Sequence, residues 1–144
     1  MFNLDDCIAF ITARSAKTFV KALERRFRPY EISRIQWIAL YYIYTGNAIT
    51  QRGLADKMSV KEPTVVRLLQ EMEQDGLVTR SGSDTDKRVR FPSLTEKGER
   101  ICTELIPVVE KFKNDTIAGI SREDLDVLTR TLGKMVENAQ KKNN

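Results

Sequence analysis

Apolar residues recur every three or four positions along most of this chain, which is the period of one face of an α-helix. In residues 4–28, Leu4, Ile8, Ile11, Ser15, Phe19, Leu23 and Phe27 fall on one stripe, while Arg14, Lys17, Lys21, Arg25 and Arg28 lie largely on other faces. Pro29 ends that helix. A second helix is predicted over 33–45, capped by Ser33. Its core face is Ile35, Ile38, Ala39, Tyr42 and Ile43, and Trp37, Tyr41 and Tyr44 give it an aromatic side. Gly46-Asn47 breaks it, and Ala48-Ile49 is expected to add a short strand to a later sheet. Thr50 caps a third helix in which Leu54, Ala55 and Met58 recur at helical spacing. The fourth has two possible starts. Ser59 with Glu62 has the spacing of a capping box, and Pro63 suits a first helical position. The start falls between Val60 and Pro63, the apolar stripe is Val65, Leu68, Leu69 and Met72, and Gly76 closes the helix as a left-handed cap.

The period then shortens to two. Leu77-Val78-Thr79-Arg80 is β-prone, residues 81–87 are polar and turn-forming, and Arg88-Val89-Arg90-Phe91 alternates charged with apolar. Pro92 has no N–H to give a ladder, so the second strand is expected to be an edge or to stop there. Helical spacing resumes after Thr95, the expected cap of a helix running to about Gly119 through Ile101, Leu105, Val108, Val109 and Phe112. Pro107 lies inside it and predicts a kink. Ser121 opens a last helix with Leu125, Leu128, Leu132, Met135 or Val136, and Ala139 on its stripe, and the polar tail is expected to fray.

Helix, turn, helix and a hairpin with a charged tip, in that order, make a winged helix-turn-helix, which holds one helix in the DNA major groove with a β-ribbon beside it. The predicted fold is mostly α with a small β-wing. The winged helix-turn-helix spans residues 31–98, with an N-terminal dimerisation helix in 1–30 and C-terminal dimerisation helices in 99–144. Lys61, Thr64 and Arg67 fall off the apolar stripe of the fourth helix, close to its N-terminus, where backbone N–H groups and the helix dipole attract phosphate. Arg80, Lys87, Arg88 and Arg90 are expected to project from the ribbon, where a guanidinium can enter a narrow minor groove. Asp86 is spaced to hold Arg88 by a charge-assisted hydrogen bond. The flanking helices carry more apolar stripe than a small winged helix can cover, so a second chain with interleaved ends is expected. A two-fold dimer implies a pseudo-palindromic operator read by recognition helices roughly 34 Å apart.

Composition narrows the chemistry. The formal net charge is +4, and residues 50–98 hold nine Lys or Arg against eight Asp or Glu, a net of +1. Affinity for phosphate must therefore come from where the cations sit. There is no histidine, which removes the commonest general base. Cys7 and Cys102 are too far apart in sequence to suggest a ligand cluster. No metal, cofactor or catalytic constellation is expected, and an enzyme is the least supported class. No apolar run approaches the ~20 residues of a membrane-spanning helix. The N-terminus MFNLDDC is acidic, unlike a signal peptide. A cytoplasmic location without membrane contact follows as the expectation.

Residues 50–98 resemble the winged helix of the MarR (multiple antibiotic resistance regulator) family of bacterial transcription factors. The matching pieces are LADKMSVKEPTVVRLLQEMEQDGLVTR, the wing tip DTDKR and the helix start SLTEKG. The resemblance implies that Lys61, Pro63, Thr64 and Arg67 lie at the major groove, and that Arg88 lies at the minor groove, paired with Asp86. The candidate DNA-binding set is Ser59, Lys61, Glu62, Pro63, Thr64 and Arg67 from the helix and its approach, with Arg80, Asp86, Lys87, Arg88 and Arg90 from the wing. Two features depart from the family pattern: a short wing tip, and Pro92 in the second strand. The resemblance also implies that a small aromatic or amphipathic effector binds between the winged helix and the dimerisation helices. Arg14, Trp37 and Tyr41 are the candidates there, with Arg14 as counter-ion, although plain core packing is the favoured account of the aromatic side. One branch of the family senses hydroperoxides through a cysteine near the start of its first helix, where Cys7 stands here. Asp5 and Asp6 beside it oppose a thiolate, and a small buried hydrophobe is the simpler role.

The expected function is a homodimeric, sequence-specific regulator of transcription, a repressor released by a small molecule. The alternatives are a redox-sensing regulator acting through Cys7, and a winged-helix protein-interaction module that binds no DNA.

Overall fold

The computed structural model describes residues 1–82 and 90–141. Its elements are α1 (Ile8–Phe27), α2 (Arg34–Thr45), α3 (Gln51–Met58), α4 (Glu62–Gln74), β1 (Val78–Gly82), β2 (Arg90–Leu94), α5 (Glu96–Thr116) and α6 (Arg122–Gln140), with single 3-10 turns at Leu4–Asp6 and Arg28–Tyr30. The fold is mostly helical with one antiparallel hairpin, as the alternation of periods predicts. No helix among the described residues is long and apolar enough to cross a membrane. Two compact units divide the chain, Met1–Glu110 and Lys111–Asn144.

In the first unit the core is built where the apolar stripes meet. It contains Phe27 of α1, Trp37 and Leu40 of α2, Leu54 of α3, Val65, Leu69 and Met72 of α4, Val78 of β1, and Cys102 and Leu105 of α5. Local signals set most of the helix starts. Ser33 makes a full capping box with Gln36, and the Thr50 hydroxyl accepts from the Gly53 N–H at 3.0 Å. At the end of α4 the left-handed Gly76 (φ 73°) turns the chain, and the Leu77 N–H returns to the Met72 carbonyl at 2.9 Å. The start of α5 locks onto this turn. The Thr95 hydroxyl donates to the Gly76 carbonyl at 2.6 Å and accepts from the Gly98 N–H at 3.0 Å. Lys97 donates to the Asp75 carbonyl at 2.9 Å. At Gly98 a Cβ would drive into the Leu77 carbonyl oxygen, so the closeness of α5 to the end of α4 depends on the missing side chain.

The structure departs from expectation at several points. The N-terminal helix is not continuous over 4–28: Cys7 adopts extended backbone (ψ 108°) and caps α1, leaving Leu4–Asp6 as a separate turn capped by Asn3. Among the described residues Ala48-Ile49 joins no sheet; Ala48 sits in the left-handed region (φ 56°), which extended pairing excludes. Ser59 does not open α4 with Glu62. It closes α3 in the left-handed region (φ 56°), and Lys61 stands at the N-cap of α4 with Pro63 in the first turn. Both strands run past their predicted ends, to Gly82 and to Leu94, with Val78 opposite Leu94 and Gly82 opposite Arg90. Its second strand runs through Pro92 and is an edge strand, the first of the two outcomes expected for that proline. The Thr95 N–H donates to the Leu77 carbonyl at 3.1 Å, which makes those two a hydrogen-bonded pair. Antiparallel alternation then makes Arg80 and Pro92 a non-hydrogen-bonded pair, and the proline removes no ladder bond. Finally, α5 ends at Thr116, three residues before the left-handed Gly119.

The second unit holds the end of α5 and all of α6. Ser121 caps α6 by accepting from the Asp124 N–H at 3.0 Å. No residue of α6 is buried, and Val127, Leu128 and Val136 are exposed.

Candidate nucleic-acid interface

α4 divides cleanly into two faces. Val65, Leu68, Leu69 and Met72 point into the core as an i, i+3, i+4, i+7 stripe. Lys61, Glu62, Pro63, Thr64 and Arg67 are all exposed. Between them Glu62, Pro63, Val66, Arg67 and Gln70 line an open groove of about 440 Å³ along the outer face. Lys61 caps the helix with its backbone only: no side chain closes the first turn, although its carbonyl accepts from the Thr64 N–H at 3.0 Å. Among the described residues neither Lys61 nor Arg67 makes an ion pair or a side-chain hydrogen bond. A helix start open to anions, with two uncommitted cations beside it, is suited to phosphate and to base edges. Ser59, also exposed, lies in the turn that aims this helix start.

Arg80 is the residue that behaves differently from its expected projection out of the ribbon. Its Nε donates to Glu73 of α4 at 2.9 Å and a terminal nitrogen donates to Gln51 of α3 at 3.4 Å, and its side chain is only 14% exposed. β-alternation gives the face of Arg80 but not the carboxylate waiting across it. Gln51 is the one buried polar residue among those described (7% exposed), and it was not foreseen, because nothing marks a glutamine one position after a cap. Arg90 opens β2. Asp86, Lys87 and Arg88 lie outside the described residues.

The aromatic side of α2 is mostly core. Trp37 is 7% exposed, its indole N–H donates to the Cys102 carbonyl at 3.4 Å, and its ring meets Phe27 at 5.8 Å and stacks on Tyr41 at 5.3 Å. Tyr41 keeps an exposed edge. Arg14 lies over Phe10, one turn back on its own helix, at 5.7 Å. The structure thus brings Trp37 and Tyr41 together, while the ring that Arg14 meets is Phe10. Cys7 is half-buried. Cys102 is fully buried; burial, helped by the Glu99 carboxylate, pushes its thiol up to about 11 and keeps it protonated. No group of three His, Cys, Asp or Glu that could hold a metal ion occurs among the described residues.

Residues 30–89, from the turn before α2 to the hairpin, match the model of the MarR family. Over that stretch the chain is similar to the MarR family. Solved structures share its fold over nearly the whole length. MepR of S. aureus, in complex with DNA, has a TM-score of 0.85 at 19% identity, covering 92% of this chain and 98% of its own. The M. tuberculosis transcriptional regulator MosR, also in complex with DNA, has a TM-score of 0.78 at 25% identity, covering 94% and 100%. BpsR of Bordetella bronchiseptica, whose DNA binding is regulated by 6-hydroxynicotinic acid, has a TM-score of 0.84 at 16% identity, covering 94% and 97%. The winged helix that matches the family model therefore sits in a chain whose solved likenesses include proteins held on DNA.

Proposed function

We propose that this chain is a sequence-specific double-stranded DNA-binding regulator of transcription, a homodimeric repressor released by a small-molecule effector. The observation that carries the reading is the outer face of α4: an N-terminus with no side-chain cap and the exposed, uncommitted Lys61 and Arg67, backed by a fully buried apolar stripe. That face would enter the major groove, with Thr64 and Arg67 toward base edges and Lys61 toward phosphate. Arg88, paired with Asp86, would reach the minor groove. Two chains would bury the exposed apolar residues of the first and last helices, among them Ile8, Phe19, Leu128 and Val136. Tyr41, on the exposed edge of the aromatic stack, is the candidate effector contact on α2. An effector coupled to DNA binding by only ~1–3 kcal/mol would relieve repression 5- to 150-fold. The DNA complexes of MepR and MosR and the regulation of BpsR by 6-hydroxynicotinic acid support both halves of the reading.

The test is fluorescence anisotropy on duplex DNA from upstream of the protein's own reading frame, against random duplex, over a salt series. Tight, salt-dependent preference for the upstream duplex is expected. Arg67→Ala should cost about 1–3 kcal/mol and relax base preference, while Arg88→Ala should weaken binding on every sequence. Unchanged affinity in Arg67→Ala would remove α4 from the groove.

A further inference from the structure

The winged helix is not where this protein concentrates its positive charge. Residues 14–28 hold six Lys or Arg and one Glu, a net of +5, against +4 for the whole chain, so everything outside that stretch sums to −1. Five of the six cations, Arg14, Lys17, Lys21, Arg25 and Arg28, fall within about 80° of the circumference of α1 and the turn that continues it, at 100° per residue. All five are exposed. Leu23 and Phe27, buried in the core, lie on the opposite side.

Two contrasts show that this stripe differs from an ordinary solvated face. In α5 and α6 four cations are paired at i, i+3 or i, i+4: Arg100 with Glu104 (3.6 Å), Lys111 with Asp115 (3.0 Å), Arg122 with Asp126 (3.2 Å) and Lys134 with Glu137 (3.6 Å). On α1 the same spacings set cation beside cation, which opposes helix formation. None of the five makes an ion pair among the described residues. At the end of the stripe Lys21, Arg25 and Arg28 border a cleft of about 580 Å³ that also takes in Ser33; Glu24 and Glu31 share its lining without pairing with the three cations.

We propose that this face of α1 is a second contact for the phosphate backbone of duplex DNA, independent of sequence and separate from the outer face of α4. Charge complementarity commits it to a polyanion. A row of about 20 Å of cations is longer than a single small anion needs and matches several phosphates of a duplex strand. A lipid surface fits less well, because an interfacial helix inserts its apolar side, and at this end of α1 that side, Leu23 and Phe27, is buried in the fold. The contact rests on the DNA-binding reading and extends it: it would raise residence on DNA around the operator without choosing the base sequence.

The test neutralises exposed positions only, Lys17, Lys21 and Arg25 all to Gln, in the full-length chain, with circular dichroism to check the fold. Affinity is measured against salt on a random duplex of about 60 base pairs and on a short duplex carrying only the operator. For three lost phosphate contacts the slope of log affinity against log salt on the long duplex should become shallower by about 2 to 3, and affinity at low salt should fall at least about tenfold. Operator preference should remain. An unchanged slope with operator recognition intact would overturn this proposal alone. A wild-type chain that binds no duplex at all would overturn it together with the regulator reading. Wild-type binding to phosphatidylserine vesicles that the triple variant loses, with the DNA slope unchanged, would overturn it in favour of a lipid surface.

Discussion

α4 and α6 carry apolar residues at the same helical period and differ in what covers them. Val65, Leu68, Leu69 and Met72 of α4 are buried within one chain, whereas α6 buries no residue and exposes Val127, Leu128 and Val136. The difference teaches where each helix draws its stability. α4 is backed by its own chain, so its outer face is held rigid and free for a ligand. α6 has a stripe of the same kind with nothing of its own unit to bury it, and a helix in water without a buried face is marginal even at this length. The winged helix buries its stripe within its own unit, and α6 does not.

The comparison breaks first if α4 does not depend on its buried stripe. Leu69 is fully buried, and Leu69→Ala should cost about 2–5 kcal/mol in denaturant unfolding. A loss under about 1 kcal/mol would mean the core is looser than its burial shows. A somewhat smaller effect is expected at the seam between α4 and α5. Gly98→Ala puts a methyl against the Leu77 carbonyl, a backbone atom that cannot turn aside, and should cost about 1–3 kcal/mol by the same assay. The smallest effect on the single chain, and the one that sharpens the contrast, is at Leu128. Leu128→Glu alters an exposed position, so helix content should hold within about 0.5 kcal/mol of stability once dissociation is accounted for. Sedimentation velocity should nevertheless show the dimer lost. A dimer as tight as wild type would exclude that stripe from the interface.

Much of this division was legible in the chain. Ser33, Thr50 and Ser121 announce helix starts because a cap bonds to backbone three residues away, and the stripe of α4 announces its buried side because period and burial are the same fact. The misreadings at the hairpin and at Arg80 are non-local. The hairpin register depends on which residues pair across it, and Pro92 is tolerated because its partner Arg80 stands at a non-hydrogen-bonded site. Arg80 alternates to the expected face and yet is turned back by Glu73 and Gln51, which are seven and 29 positions away. The start of α4 at Glu62 falls within the span that the spacing left open, and of its two signals Ser59 serves the helix before it. Gly98 looks like any early helix residue until Leu77 is beside it. For the candidate site, helical spacing was enough to predict that Lys61, Thr64 and Arg67 share an exposed side. The wing residues 86–88 lie outside the described residues, and their reading rests on the family pattern.

The measurement that meets the central claim most directly is the mass of the complex on one operator. Sedimentation equilibrium of the full chain with a single upstream duplex, in excess of its dissociation constant, should give two chains per duplex. That outcome joins an α4 face on DNA to terminal helices that need a second copy. One chain per duplex, with the free protein also monomeric, would contradict it.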